Sequence, residues 1–375
     1  MDGQRIVILG LTMTSSWGNG HATTYRGLVR ELTRRRHDVL FLERDAAWYA
    51  SNRDLPQPPY GRTVLYQSLA ELRERFGRDV RDADLVIVGS YVPEGIEIGQ
   101  WVCATARGVT AFYDIDTPVT LAAIESGACR YLSAELIARY DLYLSFTGGP
   151  TLERLACAFG ARMTRPLYCS FDPHLYFAEP RDPCWDLGYM GTFSPDRQRP
   201  LERLLADAAR LLPERRFVVA GPGYPPDGWP ANVARLDHVA ASDHRAFYTS
   251  QRFTLNLTRA DMIRAGYSPS VRLFEAAACG VPIISDYWNG LETILRPGSE
   301  IVISRSPAET AHALSSMPDR ERCAIARRAR RRVLAHHTAE HRAVQLERYL
   351  TEAQAALTRT RSVPCSSSMV IAPSV

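Results

Sequence analysis

The stretch RAGYSPSVRLFEAAACGVPIISD, residues 264–286, contains one helix and one strand whose limits can be recognised. Ser268 is a good N-cap, and Pro269 suits the first helical turn, where an N–H is not needed. Gly280 suits the left-handed stop of a helix, and the apolar run VPIIS that follows indicates a buried strand. The stretch therefore predicts a helix whose N-terminus meets the carboxyl edge of a parallel sheet.

The N-terminus of this helix is a candidate anion site, because its unpaired N–H groups and the helix dipole favour negative charge. Glu275 lies about two turns beyond Ser268 on the same face, a separation of about 10 Å. A diphosphate bound at Ser268, Pro269 and Ser270 leaves Glu275 in reach of the ribose of the same nucleotide. A carboxylate can accept hydrogen bonds from both ribose hydroxyls. The alternative is a helix cap followed by an ordinary exposed glutamate.

Apolar runs alternate with amphipathic helical patterns over most of the chain. The runs RIVILGL, DVLFLE and DLVIVGSYV in the first half, and RFVVAGPG and RFTLNLT in the second, are typical of buried parallel strands. The two halves are separated by SFDPHLYFAEPRDPCWD, residues 170–186, whose prolines and acids indicate a linker. At 375 residues, two domains are expected. The sequence predicts an α/β protein with two Rossmann-like, doubly wound domains facing each other across a cleft.

The predicted segments follow from these patterns. We expect an N-terminal domain, a linker, a C-terminal domain, a C-terminal helix that packs back toward the N-terminal domain, and a mobile tail. Their predicted bounds are residues 1–172, 173–185, 186–337, 338–358 and 359–375, respectively.

Composition excludes several classes of protein. The formal net charge of +4 is too small to indicate nucleic-acid binding. All 45 basic residues counted as Lys or Arg are Arg, which excludes a Walker A loop and a Schiff-base lysine. The eight cysteines are scattered without a CxxC pair, which favours reduced thiols in the cytoplasm. No signal peptide or membrane span is expected, because no apolar run is long enough.

The segment GYSPSVRLFEAAACGVPIISDYWNGLETIL resembles the nucleotide-binding helix of GT-B glycosyltransferases, and in particular that of the spore-maturation (CgeB-type) group. The resemblance extends to SSWGNGHATTYRGLVREL, YDIDTPVT, GYMGTFSPDRQRPLERL and LNLTRADMIRAGYSP. It implies an acceptor-binding N-terminal domain and a C-terminal domain that binds a nucleotide-diphosphate sugar. It further implies a metal-independent enzyme without a cofactor, which transfers a sugar from this donor to a hydroxyl or amine of a small-molecule or glycan acceptor.

The same resemblance implies which residues bind the sugar donor. Glu275 takes the place of the ribose-binding acid, and Ser268, Pro269 and Ser270 take the place of the diphosphate cradle. Basic residues that neutralise the diphosphate are implied at Arg197 and Arg259, and backbone contacts with the base at His238 and Val239. Tyr267, which is also assigned to the donor site, stands where many retaining relatives carry a glutamate, and Gln198 stands where some carry a second basic residue. The first departure leaves retaining and inverting stereochemistry open.

The loop after the first strand, which holds Gly18, Asn19, Gly20 and His21, is expected to face the partner domain. His21 is a candidate general base or hydroxyl-positioning group, because the pKa of an imidazole lies near neutrality. A structural histidine is the alternative. The loop also permits an NAD-binding interpretation with Glu43 as the ribose acid, although the third glycine of that fingerprint is missing.

Asp114 and Asp116 follow a predicted strand and precede a helix that starts with proline. We expect Asp116 to act as a base or to orient the acceptor, with Asp114 on the same loop. Their DxD spacing is also typical of metal-dependent GT-A enzymes, and a cap plus an ion pair is the structural alternative.

Two C-terminal patterns have mainly structural interpretations. His337, Glu340 and His341 form an HxxEH pattern typical of zinc peptidases, but a solvated helix is favoured. The run RRARRR, residues 327–332, is predicted as a solvated face, with weak contact with an anionic membrane as the alternative.

Two further function classes compete with a glycosyltransferase on the sequence. An NAD-dependent oxidoreductase would use the loop after the first strand to bind its dinucleotide. A non-catalytic sugar-nucleotide-binding protein would use the same donor site without turnover.

Overall fold

The computed structural model describes residues 3–17 and 20–362. Its N-terminal half is built on seven strands: β1 (Arg5–Gly10), β2 (Asp38–Arg44), β3 (Arg62–Tyr66), β4 (Leu85–Gly89), β5 (Val109–Asp114), β6 (Leu142–Ser145) and β7 (Thr164–Pro166). They form one parallel sheet in the order β3-β2-β1-β4-β5-β6-β7. Every residue of β4 and β5 is buried, so both faces of these central strands are covered rather than one face being solvated.

Helices cover both faces of this sheet: α1 (His21–Arg34), α2 (Ala47–Ala50), α3 (Leu69–Asp82), α4 (Gly95–Thr105), α5 (Thr117–Glu125), α6 (Ala134–Ile137) and α7 (Pro150–Phe159). Ile6 and Ile8 of β1 belong to the cluster that includes Leu28 of α1. Val7 and Leu9 point to the other face and pack in a second cluster. This alternation is the period of two of a β-strand, with both faces buried.

The C-terminal half is built on six strands: β8 (Trp185–Met190), β9 (Phe217–Ala220), β10 (Val233–Leu236), β11 (Gln251–Asn256), β12 (Ile283–Ser285) and β13 (Val302–Ile303). They form a second parallel sheet in the order β10-β9-β8-β11-β12-β13. Its helices are α8 (Pro195–Leu201), α9 (Asp207–Leu211), α10 (His244–Thr249), α11 (Ala260–Ala265), α12 (Val271–Ala278), α13 (Leu291–Ile294), α14 (Pro307–Ser316) and α15 (Asp319–His336). A π-helical segment, Glu202–Ala206, joins α8 to α9, and a 3₁₀ turn, Ala241–Asp243, precedes α10. The predicted pair of parallel-sheet α/β domains is confirmed.

The final helix, α16 (Ala339–Ser362), packs against α1 of the N-terminal half. Strand β7 ends at Pro166 and β8 begins at Trp185, on either side of the segment predicted as a linker. Residues 359–362, predicted as the start of the tail, are helical. The remainder of the predicted tail lies outside the described residues. None of the helices in the described part of the chain has both the length and the apolar character needed to cross a bilayer.

The HxxEH pattern does not lie on one helix. His337 is the C-cap residue of α15, and α16 begins only at Ala339. The Nδ1 atoms of both histidines are engaged, that of His337 with Arg342 at 2.8 Å and that of His341 with the Thr338 hydroxyl at 2.7 Å. The shared helical face expected of two zinc ligands is therefore absent.

The arginine run on α15 is only partly a solvated face. Arg327 and Arg331 are exposed, whereas Arg328, Arg330 and Arg332 each donate to a main-chain carbonyl of a neighbouring segment. Arg330, for example, donates to the carbonyl of Ala278 at the C-terminal end of α12. Cations at this end of a helix interact favourably with its dipole, which gives Arg330 a structural role.

The attachment of α16 predicts a pH-dependent stability. Glu347 accepts hydrogen bonds from Arg35 Nε and Nη2 at 2.6 and 2.7 Å, and lies 2.8 Å from His37 Nε2. The hydrogen bonds from Arg35 lower the pKa of Glu347, so its contribution is present above the unfolded-state pKa and is lost as pH falls through the folded-state pKa. We expect Glu347→Gln to reduce the free energy of unfolding by about 1–2 kcal/mol at pH 7, measured by urea denaturation.

The deficit of Glu347→Gln should shrink at pH values below the ordinary glutamate pKa. Glu352, which lies on the same helix as Glu347, forms a partly exposed ion pair with Arg165. Glu352→Gln therefore serves as the matched control, and we expect it to reduce the free energy of unfolding by less than about 1 kcal/mol. An equal deficit of Glu347→Gln at pH 7 and at pH 3.5 would show that the carboxylate charge is not responsible.

Candidate functional site

A cleft of about 630 Å³ lies between the two domains and is lined by both. The structure brings ten of the predicted site residues together in its lining: Gly20, His21, Asp116, Arg197, His238, Val239, Arg259, Pro269, Ser270 and Glu275. Asp114, Tyr267 and Ser268 do not belong to the lining. Gly18 and Asn19 lie outside the described residues. The cleft is thus formed by loops and helix starts that follow the strands of both sheets.

The N-cap of α12 is Ser270, not Ser268, so the helix begins two residues later than predicted. The Ser270 hydroxyl does not cap the helix; it donates to Asn256 Oδ1 at 2.7 Å. Ser268 is buried, with its hydroxyl 2.8 Å from that of Thr147 in the other domain. The helix N-terminus therefore faces the cleft through Pro269, Ser270 and Val271, while Ser268 joins the domains.

Glu275 is a buried carboxylate on the otherwise largely apolar helix α12. It is 3% exposed and lines the cleft, and its Oε2 accepts a hydrogen bond from the Tyr248 hydroxyl at 3.0 Å. Burial raises the pKa of Glu275, while His244 and the hydroxyls of Tyr176 and Tyr248 oppose the rise. An exposed glutamate, the alternative that the sequence left open, is therefore wrong. A buried acceptor facing a cleft can bind a ligand that brings hydroxyl donors.

Arg272 lies beside Glu275 and was not among the predicted residues. It is 7% exposed and lines the cleft. Its Nε donates to the Met190 carbonyl at 2.9 Å, as does Nη2, and its Nη1 donates to Asn256 Oδ1 at 3.0 Å. Both acceptors are neutral, and among the described residues no carboxylate forms an ion pair with this guanidinium. A buried charge of this kind is costly unless a ligand supplies the opposite charge.

Two glycines allow the backbone to approach Arg272 closely at one wall of the cleft. A Cβ on Gly191 would lie 2.9 Å from Arg272 Nη2, and a Cβ on Gly221 would lie 2.1 Å from the Gly191 carbonyl oxygen. Gly221 also has φ 139°, which favours glycine. These two residues follow β8 and β9 and both line the cleft, so the turns after these strands pack closely beside Arg272.

Tyr267, predicted to contact the donor, instead joins the two domains. Its carbonyl accepts from the Gly148 N–H at 2.9 Å and its own N–H donates to the Asn289 carbonyl at 2.6 Å. Its ring lies between Gly149 and Gly290, where a Cβ on either glycine would approach within 2.4 Å of a ring carbon. With φ 49°, the backbone of Tyr267 is in the left-handed region. These contacts explain why the side chain is held away from the cleft.

Arg259 crosses the cleft to the N-terminal domain. Its Nη1 lies 3.4 Å from Asp116 Oδ2, and the same oxygen accepts a hydrogen bond from the Tyr91 hydroxyl at 3.0 Å. Asp116 occupies the N-cap position of α5, but its side chain makes no capping hydrogen bond, so of the structural alternative of a cap plus an ion pair only the ion pair is present at Asp116. Arg197 lies in the same lining and donates to the Thr192 carbonyl at 2.9 Å.

His21 begins α1 and is buried, with its ring 5.4 Å from that of Tyr91 in an edge-on arrangement. Burial lowers the pKa of His21, and the nearby Asp116 carboxylate partly opposes this. Its imidazole is therefore neutral at neutral pH and can accept a proton. On the opposite wall, the His238 ring lies 4.4 Å from that of Trp17, again across the domain boundary.

Asp114 lies behind the cleft rather than in it. It is fully buried and accepts hydrogen bonds from the Thr120 hydroxyl at 2.8 Å, the Asp116 N–H at 3.2 Å and the Tyr143 hydroxyl. Burial raises its pKa to about 6. These contacts fix the turn that presents Asp116, so Asp114 supports the loop.

Glu43 does not have the environment of an NAD ribose ligand. It is fully buried and accepts from the N–H groups of Met13 and Thr14 at 2.7 and 3.0 Å and from the hydroxyls of Thr12 and Thr14 at 3.0 and 2.6 Å. Four donors from its own chain occupy the carboxylate, which thereby holds the loop between β1 and α1. Within the described ranges, no cluster of three or more His, Cys, Asp or Glu residues could hold a metal ion.

Sequence reasoning missed Arg272, Tyr91 and Tyr248. Arg272 carried a detectable signal, since it stands three residues before Glu275, on the same face of an otherwise apolar helix. Tyr91 and Tyr248 carried none, because their roles depend on contacts with Asp116 and Glu275 that lie 25 and 27 residues away along the chain.

Comparison with known proteins agrees with this geometry. A family model described as glycosyl transferase-like matches residues 197–348. A search of curated protein sequences gave no match. Sucrose-phosphate synthase from Thermosynechococcus elongatus superposes with a TM-score of 0.66 at 14% identity, covering 94% of this chain and 100% of the other.

Two further solved structures have similar folds. Anabaena HepE, solved in complex with UDP-glucose, gives a TM-score of 0.67 at 15% identity over 93% of this chain and 100% of that one. An alpha-glucosyltransferase in complex with UDP and a 13-mer DNA gives 0.69 at 13% identity over 94% and 100%. The predicted fold class is confirmed, while the CgeB-type group is not reached by these matches. Residues 197–348 thus match a glycosyl transferase-like family model, and the chain as a whole has the two-domain GT-B fold.

Proposed function

We propose that this chain transfers a sugar from a nucleoside diphosphate sugar to a hydroxyl or amine of an acceptor held by the N-terminal domain. The observation that carries the proposal is that Arg272 and Glu275, both buried on α12, face a cleft between two parallel-sheet domains without forming an ion pair with each other. A buried cation without a carboxylate partner suits a diphosphate, and a buried carboxylate suits the two ribose hydroxyls of the same molecule.

The other predicted donor residues are consistent with this arrangement. In our proposal the N-terminus of α12, at Ser270, and Arg197 bind the diphosphate, whose negative charge increases when the glycosidic bond to the sugar breaks. His238 and Val239, which follow β10, border the base. Stabilising the departing diphosphate requires positive charge rather than a metal, and the arginines of the cleft supply it.

On the acceptor side, His21 and Asp116 are the candidates for receiving the proton that the acceptor loses. Both line the cleft near Tyr91, and His21 is kept neutral by burial. We further propose that the acceptor is a small molecule or glycan, that the donor is the sole co-substrate, and that the chain acts in the cytoplasm as a relative of the CgeB-type group. The motif GYSPSVRLFEAAACG supports the last point.

The donor site can be tested by thermal denaturation with UDP, GDP, ADP, dTDP and NAD. We expect one diphosphate to stabilise the protein by about 2.7 kcal/mol at 100 times its Kd. Glu275→Ala should lose this stabilisation, because the ribose hydroxyls lose their acceptor. Glu292→Ala, an exposed glutamate on α13, is the matched control and should keep it.

Stabilisation by NAD alone, or by none of the five, would refute the proposal. A protein that binds a diphosphate but neither transfers nor slowly hydrolyses the sugar of the matching donor would be a non-catalytic sugar-nucleotide-binding protein. That outcome would refute the catalytic part of the proposal while retaining the donor site.

A further inference from the structure

The ion pair between Arg259 and Asp116 joins the two sides of the cleft. Arg259 is the N-cap residue of α11 in the C-terminal domain, and Asp116 is the N-cap residue of α5 in the N-terminal domain. The side chains are 34% and 20% exposed, respectively. Because both belong to the cleft lining, a ligand that enters the cleft meets this pair.

The geometry of this pair is loose. Its 3.4 Å separation exceeds the 2.7–2.9 Å typical of a charge-assisted hydrogen bond between such groups. The same carboxylate oxygen already accepts a shorter bond from the Tyr91 hydroxyl, at 3.0 Å. Asp116 would therefore keep a hydrogen-bond partner if Arg259 moved away, so the exchange of Arg259 leaves no buried acceptor unsatisfied.

Arg259 is also tied to the segment that carries Arg197. The N–H of Ala260, the next residue, donates to Asp196 Oδ2 at 3.1 Å, and Asp196 directly precedes Arg197. Arg259 and Arg197 thus line the same part of the cleft. A diphosphate carries more charge than one carboxylate and presents several acceptor oxygens, so it competes well for a guanidinium held at 3.4 Å.

We propose that Arg259 is a positioning residue that exchanges partners, pairing with Asp116 when the donor is absent and with the donor's diphosphate when it is bound. Its departure leaves Asp116 with the Tyr91 hydrogen bond and makes the carboxylate available to the acceptor. Donor binding thereby prepares the acceptor side, so productive binding begins with the donor. The inference rests on the proposed function, because it requires a diphosphate in this cleft.

Competition for Arg259 can be measured as the affinity for UDP, by titration calorimetry on the full chain. We expect Asp116→Asn to bind UDP about three- to tenfold more tightly than the wild type, because Asp116 no longer competes with the diphosphate for Arg259. Arg259→Gln should bind UDP more weakly. In the Arg259→Gln background, Asp116→Asn should change the affinity by less than about twofold, which a double-mutant cycle measures.

Two controls separate this exchange from general electrostatics and from misfolding. Asp54→Asn removes a carboxylate of the N-terminal domain that pairs with Arg26 at 2.8 Å, and should not tighten binding. Asp116→Ser removes the same charge as Asp116→Asn with a different side chain. It replaces the amide variant in the cycle if the amide variant does not fold.

Three results would overturn the inference. Weaker UDP binding by Asp116→Asn would mean that Arg259 holds Asp116 and the phosphate together. Tighter binding that persists without Arg259, or that Asp54→Asn reproduces, would reflect overall charge. If the wild type binds UDP and Glu275→Ala does not, the proposed donor site is retained whichever of these three results is obtained. If no nucleoside diphosphate binds the wild type, the proposed function falls together with the inference.

Discussion

Replacing Arg272 with methionine is expected to weaken the affinity for the nucleoside diphosphate by about 10- to 100-fold. The guanidinium is buried beside the N-terminus of α12, donates only to neutral acceptors, and has no carboxylate partner among the described residues. A charged hydrogen bond in such a site is worth about 1.5–3 kcal/mol, and one 1.4 kcal/mol step is tenfold in affinity. Methionine preserves most of the length of the side chain while removing its charge.

A ligand without phosphates distinguishes this role from a merely structural one. Binding of the nucleoside alone should change by less than about threefold in Arg272→Met, because the base and the ribose keep their contacts. Arg330→Met is the matched control, since Arg330 donates to the Ala278 carbonyl at the opposite end of the same helix, outside the cleft lining. Equal losses of nucleoside and nucleoside diphosphate in Arg272→Met would contradict a phosphate-binding role and indicate a distorted cleft.

The stretch at residues 264–286 predicted the helix, its glycine stop and the strand that follows, because these depend on local chemistry. Its start was misplaced, since two serines flank Pro269 and each could cap a helix. The choice between them was decided by distant residues, because Ser270 meets Asn256 and Ser268 meets Thr147. Local preference could not distinguish these serines.

Contacts between the domains were the part that sequence could not supply. Arg259 and Asp116 are 143 residues apart, and Thr147 and Ser268 are 121 residues apart. Tyr267 illustrates the consequence: its position relative to Glu275 fits a donor contact, yet Gly148, Gly149 and Gly290 hold it at the domain junction. A periodic pattern reports which face of an element is buried, but not which other element covers it.

Glu43 shows the opposite case, in which the structure decides between two interpretations of one residue. An acid after the second strand is compatible with ribose binding or with holding the preceding loop. The four donors from residues 12–14 favour the second role. Glu275 is also a buried glutamate, but it lies on helix α12 with its carboxylate facing the cleft, where the Tyr248 hydroxyl donates to it at 3.0 Å. The number of hydrogen-bond donors that surround each carboxylate, rather than its position in the sequence, distinguishes the two acids.

His21→Gln is expected to reduce kcat about 10²- to 10⁴-fold, the usual contribution of a general base, while the affinity for the nucleoside diphosphate changes by less than about twofold. Because burial lowers the pKa of His21, the wild-type rate should fall as pH decreases through this lowered pKa, below the ordinary value of about 6.5. The measurement is the pH dependence of kcat/KM for wild type and variant. His312→Gln, an exposed histidine of α14, is the control and should retain the wild-type profile.

The comparison of the two pH profiles is necessary because Asp114, with a pKa raised to about 6, titrates in the same region behind the cleft. The wild-type profile alone would therefore not identify the group that loses activity in acid. If His21 accepts the proton from the acceptor, the acidic limb disappears in His21→Gln together with most of the rate. If the limb persists at the same pH with a full rate, His21 is structural. The proton would then go to Asp116, whose availability depends on the position of Arg259.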